Sequence, residues 1–247
     1  MSQATNRRLL RVSGPDAKDF LQGLITNDVD KLAQGLVYAA LLTPQGKYLA
    51  DFFLVPDTDA ILLDTDADQT DALAKRLNMY KLRADVQIDE DTRNVTLGTG
   101  PAPDGAFADP RSSDLGWRSY ADHPDEAADW TALYVQNAIP QAGIELTPDS
   151  FILEMGFERL NGVDFKKGCY VGQEVTARMK HKTELRKGLA QVEITGTAPL
   201  GTDILTRDGK PAGTLFSQAG GKALAYLRFD RAHGPLNAKD AQITYAP

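Results

Sequence analysis

The sequence changes character near Lys187, and this change constrains the fold more than any other feature of the chain. Beyond Lys187, short stretches of strand-forming residues are separated by Gly, Pro and Asp turns, which is typical of antiparallel sheets. The predicted strands cover residues 189–194, 203–206, 212–218, 222–228 and 242–245. Short strands separated in this way predict a small antiparallel β-barrel at the C-terminal end of the sequence.

The part of the sequence before Lys187 mixes strands with helices. Predicted strands cover residues 8–12, 36–43, 48–55, 60–64, 83–89, 94–97 and 115–120, and predicted helices cover residues 15–24, 68–80 and 125–138. This order predicts an α+β fold, with helices packed on one face of a largely antiparallel sheet. Residues 98–110 are rich in Gly, Pro, Ala and Asp, which predicts a loop or linker. Together with the change near Lys187, this linker divides the sequence into residues 1–98, 99–186 and 187–247, which we expect to be its domains.

The charge of the chain limits its partners. A net charge of −7 and a pI near 5.0 disfavour a protein that binds nucleic acid directly, because phosphate binding needs concentrated Lys and Arg. Positive charge is nevertheless concentrated between Lys166 and Lys187, at Lys166, Lys167, Arg178, Lys180, His181, Lys182, Arg186 and Lys187. This basic stretch either attracts an anionic ligand or is a solvated face.

One cysteine and three histidines leave little room for a metal site. A lone cysteine excludes an internal disulfide, a cysteine-rich zinc site and a self-contained iron–sulfur site. The first ten residues are polar and basic rather than signal-like, and no apolar run approaches membrane-spanning length. These features predict a cytoplasmic protein with no membrane partner and no metal.

The only cysteine, Cys169, directly follows the sequence Lys166-Lys167-Gly168. The two ammonium groups would favour the thiolate, and so would the N-terminus of a helix predicted to begin at Gly172. Cys169 and Lys167 are therefore the candidate catalytic residues. The same residues allow a second interpretation, in which Cys169 is a small buried hydrophobic residue and both lysines are solvated.

Asp51 interrupts an apolar run that includes Leu49 and residues 52–54. Its carboxylate either faces water from a half-buried strand or is held inside a pocket for a purpose. The alternation of side chains along a strand favours the first interpretation.

The stretch Lys167-Gly168-Cys169-Tyr170-Val171-Gly172-Gln173-Glu174 resembles the signature of the YgfZ family of folate-binding proteins, which are relatives of the glycine cleavage T-protein. Residues 20–29, 44–52 and 80–83 are similar to segments of that family in the same order. The resemblance implies a T-protein-like three-domain ring around a central folate channel, with a C-terminal barrel. It also implies a tetrahydrofolate-binding protein that assists maturation or repair of iron–sulfur enzymes, including tRNA-modifying ones.

The resemblance also implies which residues bind folate. Glu154-Met155-Gly156 and Gly172-Gln173-Glu174 are similar to a paired T-protein motif whose first glutamate engages the pterin, and a carboxylate can accept two parallel N–H bonds. The implied cofactor-binding residues are Asp51, Arg83, Glu154, Tyr170, Gln173, Glu174 and Arg178. Ala50-Asp51 stands where the T-protein has two adjacent aspartates, which speaks against aminomethyl transfer.

Three functions compete at this point. The leading one is a monomeric, tetrahydrofolate-binding accessory factor for iron–sulfur client proteins, with Cys169 as the reactive group. The second is a folate-dependent aminomethyltransferase of the T-protein type. The third is a non-catalytic scaffold that binds client proteins and uses folate only as a structural ligand.

Overall fold

The computed structural model of the protein describes residues 6–121, 123–124, 126–181 and 184–246. The chain forms two compact units, and each is built from two separate stretches. The first unit comprises Met1–Ala128 and Phe157–Ala177, and the second comprises Asp129–Gly156 and Arg178–Pro247. The division into residues 1–98, 99–186 and 187–247 stays a prediction. No helix within the described residues is both long and apolar enough to cross a bilayer.

An antiparallel sheet forms the centre of the first unit. Within residues 6–121, five strands follow the order β2-β3-β4-β1-β5: β1 Arg7–Ser13, β2 Val37–Leu42, β3 Tyr48–Pro56, β4 Ala60–Asp66 and β5 Gln87–Asp91. The predicted hairpin is confirmed, because β2 and β3 pair directly across the turn at residues 43–47.

Helices cover one face of this sheet. They are α1 Ala17–Gln22 and α2 Ala67–Lys81, and a 3₁₀ turn follows α1 at Val29–Gln34. Helix α2 begins where the Asp66 side chain accepts a hydrogen bond from the N–H of Asp68, and Leu73 and Leu77 recur on its buried side. These leucines share one apolar core with every second residue of the central strands, including Ala39, Leu41, Phe52, Leu54 and Leu63.

Buried ion pairs cover the opposite face. A second sheet, in the order β6-β8-β7, contains β6 Thr96–Gly98, β7 Phe107–Ala108 and β8 Trp117–Ser119. From β8, Arg118 reaches Oδ2 of Asp64 at 2.8 Å and Oδ2 of Asp109 at 3.1 Å. Its guanidinium carbon lies 3.9 Å from the centre of the Phe53 ring. The central sheet is therefore enclosed on both faces.

The second unit contains the barrel. Across residues 184–246 six strands close in the order β10-β11-β12-β9-β14-β13, with β13 returning to β10: β9 Lys187–Thr195, β10 Asp203–Thr206, β11 Pro211–Ala219, β12 Lys222–Arg228, β13 Leu236–Ala238 and β14 Ala241–Thr244. Small and branched apolar side chains fill it, among them Ile204, Leu215 and Ile243. The predicted C-terminal barrel is confirmed.

Several predicted elements have different bounds. The helix predicted at 125–138 is α3 Trp130–Gln136, because the Asp129 side chain caps it by accepting from the N–H of Ala132. Asp125 lies outside the described residues. The strand predicted at 83–89 begins only at Gln87. Strand β13 was not predicted, since three residues are too few to show an alternating pattern.

Candidate functional site

Two motif segments that are far apart in the sequence meet in the first unit: the turn after α1 and the segment leading to Cys169. Thr26 donates from Oγ1 to the carbonyl of Gly162 at 2.7 Å, and the N–H of Asp164 donates to the carbonyl of Thr26 at 2.9 Å. Asn27 donates from Nδ2 to the carbonyl of Asn161 at 2.7 Å. These buried bonds fix the start of the segment that carries the thiol.

Lys167 extends the same connection. Its Nζ donates to the carbonyl oxygens of Gln22 at 2.7 Å, Ile25 at 2.7 Å and Asn27 at 3.0 Å. The residue is 7% exposed, and burial lowers the pKa of its ammonium group to about 8. The sequence predicted that this ammonium group activates the thiol by its charge. In the structure its hydrogen bonds are instead made to backbone carbonyls.

Asp164 shapes the turn between these bonds. Its Oδ1 accepts from the backbone N–H groups of Lys166 at 2.6 Å and Lys167 at 3.2 Å, and its Oδ2 lies 2.7 Å from Nζ of Lys31. Burial opposes ionisation, but the bonds from Lys31 and the backbone hold the pKa of Asp164 below its usual value. Hydrogen bonds from the backbone N–H groups two and three residues ahead to an aspartate carboxylate close an Asx-type turn.

Gly172 and Gly46 bring the β2–β3 hairpin turn against the start of α4, Gln173–His181. Gly172 has a φ of +84°, and a Cβ there would lie 2.6 Å from the carbonyl oxygen of Thr43. A Cβ on Gly46, with a φ of +74°, would lie 2.8 Å from Cβ of Val175. The helix predicted after Gly172 is confirmed, and both glycines are required by this close approach.

Cys169 lies exposed on the loop before α4. The interpretation as a small buried hydrophobic residue is therefore wrong. The side chains on either side of the exposed pair Gly168-Cys169 are buried, since Lys167 is 7% and Tyr170 is 8% exposed. Nζ of Lys167 lies 5.2 Å from the centre of the Tyr170 ring, within the range of a cation–π contact.

Asp51 is buried rather than solvated. It is 7% exposed, and it accepts hydrogen bonds from the hydroxyls of Tyr38 at Oδ2 (2.9 Å) and Tyr48 at Oδ1 (2.6 Å). The interpretation that alternation favoured is wrong because both faces of the central sheet are covered. Burial, and then the charge of Asp51, raises the pKa of both tyrosines well above the usual value, so they remain donors at neutral pH.

A cavity of about 570 Å³ lies in the first unit and is lined in part by Tyr38. Its volume falls within the roughly 300–1,000 Å³ range of small-molecule sites. The wall also includes Lys31, Gln34, Phe107 and Asn161, so amide groups and one ammonium group accompany aromatic and aliphatic surface. The cavity can therefore take a ligand that combines rings with hydrogen-bonding groups.

Glu154, the implied pterin anchor, belongs to the second unit. Its Oε2 accepts from the hydroxyl of Tyr226 at 2.6 Å, and its backbone carbonyl accepts from the N–H of Leu189 at 2.7 Å. Burial and then the bond to Glu154 raise the pKa of Tyr226. Oε1 accepts no hydrogen bond from the described part of the chain, so this carboxylate suits a ligand that presents N–H donors.

The other implied folate residues occupy varied positions. Arg83, Glu174 and Arg178 are exposed, and Gln173 is half-buried. Arg178 belongs to the second unit, so the basic stretch 166–187 is divided between the units, and Lys182 lies outside the described residues. In the described ranges, no group of three or more His, Cys, Asp or Glu side chains is arranged to hold a metal ion.

Sequence reasoning missed several residues that orient the candidate groups: Lys31, Tyr38, Tyr48, Asp164 and Tyr226. Asp164 left a signal, since an aspartate two residues before Lys166 is typical of an Asx turn. Tyr38 and Tyr226 left none, because Tyr38 meets Asp51 from the neighbouring strand and Tyr226 meets Glu154 from 72 residues away in the sequence. Tyr48 lies on the same strand as Asp51, three residues before it, but nothing in the strand pattern indicates that its hydroxyl bonds to that carboxylate.

The fold defines the class of protein. A crystal structure of glycine cleavage system aminomethyltransferase T from Bartonella henselae matches with a TM-score of 0.72 at 14% identity, over 98% of this chain and 83% of that one. The T-protein-like fold expected from the sequence is confirmed. Residues 186–247 match the family model described as the CAF17 C-terminal β-barrel domain.

Sequence relatives define the family. The mitochondrial iron–sulfur cluster assembly factor IBA57 of Mus musculus is 31% identical over 96% of this chain and 79% of its own length. The Homo sapiens protein of the same name is 30% identical over 97% and 81%. The chain therefore belongs to the IBA57 family of iron–sulfur cluster assembly factors, to which the YgfZ family is related. The expected cytoplasmic location is contradicted, because these relatives are named as mitochondrial proteins.

Proposed function

We propose that this protein is an assembly factor for iron–sulfur proteins that binds tetrahydrofolate and acts through the thiol of Cys169. The observation that carries the proposal is the placement of the only thiol of the chain, exposed on a loop whose two flanking side chains are buried. The IBA57 relatives, named as iron–sulfur cluster assembly factors, support the same role.

The chain offers groups that fit tetrahydrofolate. Glu154 presents an uncommitted carboxylate oxygen to the N–H donors of a pterin, and Tyr226 holds the other oxygen in place. Within the first unit, Asp51 is a separate candidate acceptor held by two tyrosine hydroxyls, one of which belongs to Tyr38 in the cavity wall. Bound tetrahydrofolate would supply a reduced pterin able to carry a one-carbon unit. Arg83, Tyr170, Gln173, Glu174 and Arg178 stay further candidates for contact with it.

Cys169 acts with a second molecule in this proposal. No second cysteine exists in the chain to form a disulfide with it. The thiolate would therefore contact a client protein or the iron of a cluster in transit, since thiolate is the usual ligand of iron in such clusters. Radical tRNA-modifying enzymes are one class of client to test.

Replacement of the thiol tests the proposal in cells. In a strain or line lacking the native protein, we expect Cys169→Ser to leave the protein folded and abundant but to lower iron–sulfur enzyme activity. Lys166→Met is the matched control, because it alters an exposed neighbour and keeps the thiol. Full activity with Cys169→Ser would remove the thiol from the mechanism.

Calorimetry with purified protein tests folate binding separately. We expect Glu154→Ala to weaken tetrahydrofolate binding by about 2 kcal/mol, since a charged hydrogen-bond partner is lost. Glu158→Ala, which alters an exposed glutamate nearby in the sequence, is the control. Unchanged binding in Glu154→Ala would take Glu154 out of the site. Turnover of a lipoyl aminomethyl donor would instead indicate an aminomethyltransferase, and full client activity of Cys169→Ser would favour the scaffold.

A further inference from the structure

The ammonium group of the buried Lys167 uses all of its N–H donors within the protein. An ammonium group has three N–H donors, and the carbonyls of Gln22, Ile25 and Asn27 are three acceptors at 2.7–3.0 Å. Each donor therefore has one acceptor. No donor remains for the thiol of Cys169 or for a ligand, although the sequence suggested that the charge of Lys167 activates the thiol.

The three carbonyls belong to the end of α1 and the turn that follows it. The last carbonyl groups of a helix lack donors from their own helix, and a cation near this end is favourable. Gln22 is the last residue of α1, so Lys167 supplies the donor that its carbonyl lacks, and Lys167 also donates to two carbonyls of the following turn, from a position 140 to 145 residues away in the sequence. Its side chain therefore attaches the loop that contains Cys169 to the buried turn after α1.

The two residues between Lys167 and Tyr170 are exposed to solvent. They are Gly168 and Cys169, and nothing lies within 4 Å of the position that a Cβ on Gly168 would take. Tyr170 is buried and its ring faces Nζ of Lys167 at 5.2 Å. The two exposed residues are thus held between two buried residues that contact each other.

We propose that Lys167 is a positioning residue, which fastens the Cys169 loop to the turn after α1 and governs the thiol through the location of the loop rather than through charge. This inference rests on the proposed function of Cys169. It assigns to the lysine of the motif a task different from that of its neighbour Lys166.

Lys166 provides the matched comparison. It is exposed, and within the described residues its side chain forms no ion pair or hydrogen bond. Lys166→Met and Lys167→Met each remove one positive charge close to Cys169. If charge governs the thiol, both variants raise its apparent pKa similarly. If the loop anchor governs it, only Lys167→Met changes the loop.

The test measures alkylation of Cys169 by iodoacetamide and chymotrypsin cleavage after Phe165 and Tyr170, with thermal melting of each full-length variant as a check on folding. We expect chymotrypsin to cleave Lys167→Met about 10-fold faster than the unaltered protein. The three hydrogen bonds from a charged group contribute more free energy than a tenfold change in the population of the open loop requires. Its alkylation rate should approach that of the denatured chain. Lys166→Met should match the unaltered protein in cleavage.

Lys167→Arg gives a second measurement if Lys167→Met does not fold. A planar guanidinium keeps the charge but cannot direct three N–H groups from one atom to three carbonyls. We expect Lys167→Arg to increase cleavage, whereas a charge mechanism predicts no change. The anchor is refuted if Lys167→Arg behaves as the unaltered protein while both methionine variants shift the apparent pKa of Cys169 equally.

The pH dependence of cleavage completes the test. A neutral amine has only two N–H donors, so deprotonation of Lys167 releases one carbonyl. The charged groups around it are Asp28 and Asp164, which favour the ammonium form, and Lys31, which opposes it. In a Cys169→Ser background, cleavage should rise between about pH 7 and about pH 9, relative to a reference peptide, and Lys167→Arg should lack this rise. A flat profile would contradict the anchor. Full client activity of Cys169→Ser would instead refute the proposed function and leave the cleavage result intact.

Discussion

Tyrosine hydroxyls hold both of the carboxylates that the family resemblance implies for folate. Tyr38 and Tyr48 donate to Asp51, and Tyr226 donates to Glu154. A neutral donor orients a carboxylate without cancelling its charge, in contrast to the arginines that pair with Asp64 and Asp109. At the scale of single residues, Asp51 and Glu154 are therefore held by neutral donors, whereas Asp64 and Asp109 are paired with cations.

Tyr226→Phe tests whether this orientation matters. The variant keeps the ring and removes the 2.6 Å bond to Oε2 of Glu154. We expect tetrahydrofolate affinity to fall by about 3- to 10-fold, the usual worth of one hydrogen bond, as measured by calorimetry. Tyr245→Phe is the control, because its hydroxyl has no hydrogen-bond partner among the described residues. Equal affinities in the two variants would contradict the role of Tyr226.

Buried tyrosines also predict a response to alkali. Tyr38, Tyr48 and Tyr120 have pKa values well above the usual value, first because of burial. In the unfolded chain they lose protons near pH 10, so above that pH the unfolded state binds fewer protons and the free energy of unfolding falls. Urea denaturation above about pH 10 should show this loss, and Tyr120→Phe should make its slope shallower by up to about 1.4 kcal/mol per pH unit. An unchanged slope would contradict the burial of that hydroxyl.

The elements around Cys169 depend on one glycine more than on the other. Gly172 has a positive φ and lies against the hairpin turn, so it determines where α4 starts. Gly168 has open space around it and needs no special conformation. The glycines on either side of the thiol therefore have different tasks, which the sequence motif does not reveal.

Alanine substitutions at the two glycines should separate these tasks. Gly172→Ala places a Cβ 2.6 Å from a backbone oxygen and should destabilise the protein by about 2–4 kcal/mol in chemical denaturation. Gly168→Ala should change stability by less than about 0.5 kcal/mol, because the added methyl group meets nothing. Equal effects of the two substitutions would be inconsistent with this packing.

At the scale of the whole molecule, the two units rely on different chemistry. The barrel of the second unit encloses apolar side chains. The first unit has an apolar core under its helices, and on the other face of its sheet Arg7, Arg111 and Arg118 pair with Asp64 and Asp109. Breaking such a buried network costs more than its net contribution to stability, because it leaves an unpaired charge.

Arg118→Met should therefore destabilise the first unit by about 3–5 kcal/mol in chemical denaturation, with Arg228→Met in an exposed ion pair as the control.

Acid should weaken the same network of ion pairs. Burial opposes ionisation of Asp109, but Arg111 and Arg118 lower its pKa to about 2. The stability from this ion pair is present above about pH 4, the pKa range of an unfolded aspartate, and is lost as pH falls toward 2. An acid transition identical in Asp109→Asn would contradict this account.

Local patterns in the sequence determined much of the fold. The β2–β3 hairpin, α2 and most of the barrel strands follow from alternation, helical spacing and turn residues, which depend on neighbours a few positions apart. The same patterns indicated the helix beside Cys169 but left open whether the thiol is exposed or buried. Strand β13 has too few residues to show an alternating pattern, and helical spacing did not predict that α3 starts after its Asp129 cap.

The tertiary structure alone decided the surroundings of the candidate groups. The alternation of side chains along the strand predicted a solvent-exposed Asp51. In the structure both faces of the sheet are covered, and the buried Asp51 carboxylate accepts hydrogen bonds from two tyrosine hydroxyls. Because Lys167 lies close to Cys169 in the sequence, its charge was expected to act on the thiol. In the structure its ammonium group donates to carbonyls 140 to 145 residues away. The contacts of Lys167 join residues far apart in the sequence, whereas Asp51 bonds to tyrosines of its own hairpin. In both cases the energy depends on burial by the tertiary structure, which a local pattern does not contain.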